Sequence, residues 1–199
     1  MHHNTYAEVL MMRELVTRSR SYRRFREDRP LGREVLTALI DLARLTPSGA
    51  NKQPLKYILS CEPEKNALIC GCLTWAAYLT EWPGPAAGER PTGHILILGD
   101  DDIATTIACD HGIAAQTILL GAAEIGVAGC IIGTVDRERL MAELAIPPRY
   151  RILLAVALGY PGETVVIDEM KGGDYKYWRD EKSIHHVPKR RLGDIILDL

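Results

Sequence analysis

Two segments constrain the fold of this chain more than any others. His94–Gly99 (HILILG) and Ile152–Leu158 (ILLAVAL) are apolar at nearly every position, without the in–out alternation of a strand that faces water on one side. They are expected to be buried central strands, and the covering layers must come from elsewhere in the chain. Several segments have the helical period to supply them. Tyr6–Thr17 carries apolar residues at 6, 9, 10, 12, 15 and 16, and Leu31–Leu45 carries Val35, Leu36, Leu39, Ile40 and Leu42 before Pro47 and Gly49 stop it. Glu64–Leu79 and Arg137–Ala145 are helix-like, and Ile103–Ile125 predicts a long helix of small residues suited to close packing. Leu55–Ser60 and Val127–Ile132 are short and β-prone, whereas 168–188 is polar and aromatic with no clear period. Few strands among abundant helix predict an α+β architecture rather than a long doubly wound sheet. The Gly- and Pro-rich stretch 82–93 is expected to be a loop or lid, because neither half of the chain carries a full set of strands. Residues 1–199 are therefore expected to form a single domain.

Composition narrows the function classes. An apolar content of 47% excludes disorder, and a net charge of −2 excludes a generally basic nucleic-acid binder. Five cysteines, an odd number, argue against a disulfide framework and for a reducing, cytoplasmic setting. No signal peptide is expected, since Glu8, Arg13 and Glu14 interrupt the first residues. Gly112–Gly133 contains Gln116, Glu124 and several glycines, so a buried helix, a turn and a strand explain it better than a membrane span.

Common catalytic motifs are missing from the sequence. It has no phosphate-binding G-x-x-x-x-G-K-[ST] loop, and Gly121, Gly126 and Gly129 do not form a dinucleotide-binding turn. It has neither a G-x-S-x-G elbow nor an H-E-x-x-H helix. Cys70 and Cys72 lack a second pair, and the adjacent His185 and His186 fit a surface or interface feature, so no metal is expected. Asp110 and His111 are neighbours on a helix and point about 100° apart, which favours capping or packing over a catalytic pair.

Between Arg13 and Arg33 stand eight arginines and three acids, with no lysine. Guanidinium presents a planar fork that pairs two ways with phosphate. Arg20, Ser21 and Arg23 converge on one phosphate if the chain turns there; a solvated basic face is the other reading. A second segment, Thr46–Pro54, leaves a helix and enters a strand. It holds the Ser48 hydroxyl, the Asn51 and Gln53 carboxamides and Gly49, a set that suits a heterocycle with alternating donors and acceptors.

Together these residues resemble the nitroreductase family of FMN-dependent oxidoreductases. Arg20-Ser21-Tyr22-Arg23-Arg24-Phe25 matches the family's Arg-Ser-x-Arg-x-Phe element, and Pro47-Ser48-Gly49-Ala50-Asn51-Lys52-Gln53-Pro54 matches its Pro-Ser-x-x-Asn-x-Gln-Pro loop. The Gly-rich turn within Ala122–Gly133, the strand ending Gly159-Tyr160-Pro161 and the basic Lys189-Arg190-Arg191 follow in family order. Three positions depart from the pattern. Ser19 stands where many members have a second Arg, Leu55 replaces an aromatic, and Gly126-Val127-Ala128-Gly129 replaces the usual Gly-Leu-Gly.

The resemblance implies a nitroreductase-like fold, with a central, mostly antiparallel sheet flanked by helices and an intertwined homodimer holding FMN at the subunit interface. It implies that Arg20, Ser21 and Arg23 bind the FMN phosphate and ribityl region, joined by Lys189 and Arg191. Pro47, Ser48, Gly49, Asn51 and Gln53 would line the isoalloxazine, partly from the other subunit. Gly129, Cys130 and Ile131 would lie beside the ring, with the Cys130 backbone mattering more than its thiol. The implied activity is ping-pong transfer from NAD(P)H through flavin N5 to an electron-poor acceptor, nitroaromatic- or quinone-like, with no obligatory protein acid or base. Reductive dehalogenation, flavin fragmentation or heterocycle dehydrogenation on the same fold are alternatives, as is a non-catalytic flavin sensor or store. Neither a nucleic-acid nor a membrane partner is expected; the arginine segment lacks the aromatic platform of nucleic-acid binders.

Overall fold

A computed structural model describes residues 5–199 of the chain, with side chains described from residue 11 onward. The elements run α1 (Thr5–Arg18), α2 (Arg33–Ala43), β1 (Leu55–Ser60), α3 (Pro63–Cys70), β2 (Gly93–Asp100), α4 (Asp110–Glu124), β3 (Ala128–Ile132), α5 (Arg137–Glu143), β4 (Tyr150–Gly159), β5 (Val165–Glu169), β6 (Trp178–Arg179) and β7 (His185–Lys189). The apolar stripe expected at Tyr6, Val9 and Leu10 falls on side chains outside the described ones.

The main sheet has the order β1-β2-β4-β3, antiparallel throughout. The two apolar runs become its inner strands, β2 and β4, and the packing explains their lack of alternation. Ile95, Ile97, Val156 and Leu158 face a layer built from Leu36 and Leu39 of α2 and Ile118 and Leu119 of α4. Leu96, Leu98, Ala155 and Ala157 face the opposite way, onto Ile69 of α3, Leu140 of α5, Phe25 and Trp75. With both faces dry, successive side chains on one strand are all apolar. His94 is the exception. It is fully buried beside Asn66 of α3, with its Nδ1 3.0 Å from Asn66 Oδ1, while Asn66 Nδ2 donates to the Thr92 carbonyl at 2.8 Å.

Three sequence expectations are corrected. The helix expected over Glu64–Leu79 ends at Cys70. Beyond Gly71 the chain leaves to pair with another segment: Leu73 bridges Val135, and the Thr74 N–H donates to the Thr134 carbonyl at 3.0 Å. The long helix expected over Ile103–Ile125 begins only at Asp110. Thr105, Thr106 and Ile107 are β-branched and weak helix formers, and the segment is held on the sheet edge. There Arg151 donates to the Thr105 carbonyl at 2.7 Å and pairs with Asp101 at 2.7 Å.

The third correction concerns 168–188, which carries strands despite its lack of period. β5 pairs with β7 in parallel, and β7 pairs with the two-residue β6 antiparallel. This small sheet is tied by charge and stacking more than by an apolar face. His186 Nδ1 lies 2.6 Å from Asp168 Oδ2, its ring stacks on Trp178 at 4.8 Å, and Arg191 pairs with Glu169 at 2.6 Å. Among the described residues no helix is long and apolar enough to cross a membrane, and all five cysteines are free.

Candidate functional site

The arginine segment runs as an irregular extra strand beside β3. Ser21 forms a parallel bridge with Gly129, and the Tyr22 N–H donates to the Gly129 carbonyl at 3.0 Å. Phe25 then bridges Pro161 and buries its ring in the core, leaving 1% exposed. The approach is close enough to require glycine at 162, where a Cβ would stand 2.8 Å from Phe25 backbone atoms. Thus Arg20, Ser21 and Arg23 are brought against Gly129, Cys130 and Ile131, two sets far apart in sequence. Burial pushes the Cys130 thiol above its ordinary pKa, so the neutral thiol is favoured there.

Arg23 is held on several sides. Its guanidinium lies 4.6 Å from the Tyr177 ring centroid, and Nη1 lies 3.4 Å from the Ser21 carbonyl oxygen and 3.2 Å from His185 Nε2. Guanidinium can only donate, so Nε2 accepts and the His185 proton sits on Nδ1. Burial, with the Arg23 charge second, pushes the His185 pKa down to about 4, in keeping with a neutral ring. Glu163 supports the segment from behind. Its carboxylate accepts the Arg23 N–H at 2.5 Å and the Arg24 N–H at 3.1 Å, and it pairs with Arg179 at 2.8 Å. The Trp82 ring lies under Arg179 at 4.4 Å and near Arg24 at 6.0 Å. Arg20, by contrast, is partly exposed. One Nη donates to the Val16 carbonyl at 2.7 Å, and its Nε has no partner.

The loop after α2 is built differently. Ala50, Asn51 and Gln53 adopt φ of 50°, 55° and 51°, a left-handed conformation that costs non-glycine residues strain. The Ser48 hydroxyl donates to Asp110 Oδ2 at 2.5 Å and accepts the Gln53 N–H at 2.9 Å. The Gly49 N–H donates to the same carboxylate at 3.2 Å, and Gln53 Nε2 donates to Asn51 Oδ1 at 3.2 Å. A cavity of about 160 Å³ opens here, lined by Pro47, Ser48, Gln53, Leu55, Tyr57 and Asp110. The hydrogen bond from Ser48 holds the Asp110 carboxyl below the usual carboxylate range. Asp110 is therefore a packing residue for a distant loop, and His111 does not share its contacts.

The single chain does not unite all the sequence-predicted residues. Asp110 opens α4 and holds the loop; the turn after α4 leads into β3, where the arginine segment docks. Gly129 packs against Leu119, nine residues along α4 from Asp110, so the helix holds the two groups about 13 Å apart. Lys189 and Arg191 occupy a third place. His185, at the start of β7, meets Arg23, whereas Lys189 is four residues further on, about 13 Å along an extended strand. Arg191 there pairs with Glu169. Sequence reasoning missed Glu163, Arg179, Tyr177 and His185. A signal for Glu163 existed: an acid two residues after Gly-Tyr-Pro, in a chain whose arginine segment needs a counter-charge.

The donor set suits a phosphate-bearing planar heterocycle. Arg20 carries an unpartnered buried Nε, and the exposed Asn51 and Gln53 offer both donors and acceptors. Among the described residues no group of three or more His, Cys, Asp or Glu is placed to hold a metal ion.

A family model described as "Nitroreductase family" matches residues 16–160. No curated protein matches significantly. Solved structures do. The Nitroreductase Family Protein of Streptococcus pneumoniae TIGR4 superposes with a TM-score of 0.68 at 18% identity, over 94% of this chain and 100% of its own. An FMN-dependent nitroreductase of Clostridium difficile R20291 gives 0.64 at 22% identity, over 84% and 97%. A nitroreductase family protein of Clostridium difficile 630 gives 0.63 at 23% identity, over 75% and 84%. At these identities the likeness establishes the fold.

Proposed function

The chain belongs to the nitroreductase family, and we propose that it is an FMN-dependent oxidoreductase passing reducing equivalents from NAD(P)H to an electron-poor small molecule of nitroaromatic or quinone type. The observation that carries this reading is the Ser21–Gly129 bridge, which sets the arginine donors beside the Gly129–Ile131 strand. FMN, when bound, supplies the hydride chemistry. The chain's own residues do the rest. Arg20, Ser21 and Arg23 bind the phosphate end through charge-assisted hydrogen bonds. Backbone groups of Gly129, Cys130 and Ile131 line one edge of the ring. Pro47, Ser48, Gly49, Asn51 and Gln53 present the carboxamide edge. Lys189 and Arg191 are assigned to the phosphate on the family resemblance alone, since in the single chain they stand apart from Arg23 and Arg191 pairs with Glu169.

Because one chain leaves these groups about 13 Å apart along α4, the reading includes a homodimer in which each site takes the loop from one subunit and the arginine segment from the other. Exposed apolar side chains support it. Met11, Met12 and Val16 on α1, Leu42 in α2, Leu45 after it, and Leu192, Ile195, Ile196, Leu197 and Leu199 at the C-terminus all stand in solvent in the isolated chain. A single domain of residues 1–199 and a cytoplasmic setting complete the proposal.

The test is direct. The purified protein is expected to be yellow, to release FMN on heating and to bleach with NAD(P)H under anaerobic conditions. Protein that carries no FMN and takes up none on reconstitution would refute the reading. FMN that binds but is not reduced by NAD(P)H would assign a sensor or store instead.

A further inference from the structure

The function proposed above gives no role to the buried acid Asp110. Asp110 sits in the first turn of α4 and is 6% exposed, yet its carboxylate reaches across to the loop after α2. It accepts the Ser48 hydroxyl at 2.5 Å and the Gly49 N–H at 3.2 Å. Ser48 passes the constraint on by accepting the Gln53 N–H at 2.9 Å, and Gln53 Nε2 closes the loop on the Asn51 carbonyl and Oδ1, each at 3.2 Å. Ser48, Gln53 and Asn51 are thus chained to one carboxylate.

The loop needs that restraint. Three of its residues, Ala50, Asn51 and Gln53, have φ near +50°, a conformation that side chains with a Cβ resist. Strained backbone persists only where surrounding contacts over-determine it. Here those contacts are the Asp110 hydrogen bonds at one end and the start of β1 at Leu55 at the other. Asp110 is itself anchored, because α4 packs its Ala114, Ala115 and Ile118 into the dry layer against the main sheet. The carboxylate therefore transfers the position of a rigid helix to a loop that has little core of its own.

We propose that Asp110 is a positioning residue: it locks the loop 47–53 in its left-handed conformation so that Asn51 and Gln53 are presented to the flavin ring in fixed orientation. This rests on the FMN reading above, and it assigns a role to a residue in neither the arginine segment nor the loop. Preorganisation of this kind lowers the ordering cost of ligand binding. The Asp110 carboxylate bonds to Ser48 and Gly49 of the loop, so its removal is expected to affect the cofactor through the loop.

The experiment compares Asp110→Asn and Asp110→Ala with the unaltered protein, and uses Asp41→Asn as a control, since Asp41 makes only an exposed pair with Arg44. Three readouts are taken: FMN affinity by titration of the stripped protein, the visible spectrum of the bound flavin, and amide exchange at Gly49 and Gln53 without FMN. With Asp110→Ala, FMN affinity is expected to fall at least tenfold, the flavin bands to shift, and the Gly49 and Gln53 amides to exchange faster. Asp110→Asn keeps one acceptor oxygen and is expected to fall in between. The control is expected to match the unaltered protein. Affinity within twofold and an unchanged spectrum in both Asp110 variants would overturn the proposal. So would loss of folding in the isosteric Asp110→Asn, which would make the carboxylate a folding determinant. Failure of the unaltered protein to bind FMN would instead refute the functional reading, while the exchange readout would still decide whether Asp110 restrains the loop.

Discussion

Ser21 and Gly129 lie side by side in a parallel bridge, and this contact joins the arginine segment to β3. Gly129 has no room for a side chain. A Cβ there would stand 2.5 Å from Leu119 Cδ2 and 2.8 Å from the Ala157 carbonyl oxygen, which belongs to the neighbouring strand. Leu119 can rotate away, but the backbone oxygen cannot. Gly129→Ala is therefore expected to displace β3 and lower stability by about 1–3 kcal/mol, the usual range for overpacking. FMN affinity should fall with it. Thermal melting and flavin titration check this; a variant with unchanged melting and full flavin content would show that β3 can shift freely.

The arginines beside this bridge carry the second prediction. Arg20 is partly exposed, with an unpartnered Nε, so Arg20→Ala leaves the core intact. A hydrogen bond to a charged group contributes about 1.5–3 kcal/mol, which corresponds to roughly ten- to a hundredfold in FMN affinity. Arg20→Ala with Arg23→Ala should lose more. Unchanged FMN affinity in the double variant would place the phosphate elsewhere.

Glu163 holds the backbone of the same segment. Its side chain is 2% exposed and accepts two backbone N–H groups while pairing with Arg179. Removing one partner of a buried pair leaves the other charge uncompensated, at about 3–5 kcal/mol. Glu163→Gln keeps the shape and one acceptor, so about 2–3 kcal/mol is expected. Differential scanning calorimetry reads this as a drop of several degrees. A melting temperature within one degree would mean that Arg179 and the two amides find other partners.

The sequence carried the architecture well where a physical signal was local. The unbroken apolar runs at 94–99 and 152–158 marked β2 and β4 because burial on both faces removes alternation. Leu55–Ser60 matched β1 residue for residue. Local period failed where distant segments decided the outcome. Leu73 and Thr74 leave the helical pattern to pair with Thr134 and Val135, and Thr105 is held on the sheet edge by Arg151. The strands between 165 and 189 hide for a similar reason: their partners are each other, and charges rather than apolar alternation tie them. Within the candidate site, side chains that belong to short motifs were easier to propose than those that support them. Glu163, His185 and Asp110 act through long-range contacts, and no short motif encodes those.

Buried histidines set the pH dependence. Burial pushes His94 down to about 3, and burial with Arg23 pushes His185 down to about 4, against an ordinary value of 6.5. Below pH 6.5 the unfolded chain therefore binds protons that the folded chain refuses. Stability from these groups is complete above pH 6.5 and falls as pH drops toward 4, by up to about 1.4 kcal/mol per unit for each histidine. His186 works in the opposite direction. Its hydrogen bond to Asp168 raises its pKa, so its contribution is present below pH 6.5 and is lost as pH rises through the folded value. Lying near the surface, it is screened and weaker. The melting temperature is expected to fall between pH 7 and pH 5, with a shallower slope in His185→Gln. A flat profile over that range would show that neither ring is held neutral.

Complementation tests the assembly across subunits. In one chain the loop 47–53 is held at the start of α4 and the arginine segment docks near Leu119, about 13 Å along the helix. One variant carries Arg20→Ala with Arg23→Ala, and another carries Asn51→Ala with Gln53→Ala. Each alone is expected to form dimers with two damaged sites and little FMN. In a mixed dimer one site receives both damaged halves, and the other receives the intact loop of the first variant with the intact arginines of the second. Random pairing through a symmetric interface should thus restore roughly one site in four. Co-expression with two different affinity tags isolates the mixed dimer, where half the sites should bind FMN at unaltered affinity. If each chain built its own site, the mixed dimer would bind no more flavin than either parent, and α4 would have to be bridged within a single subunit.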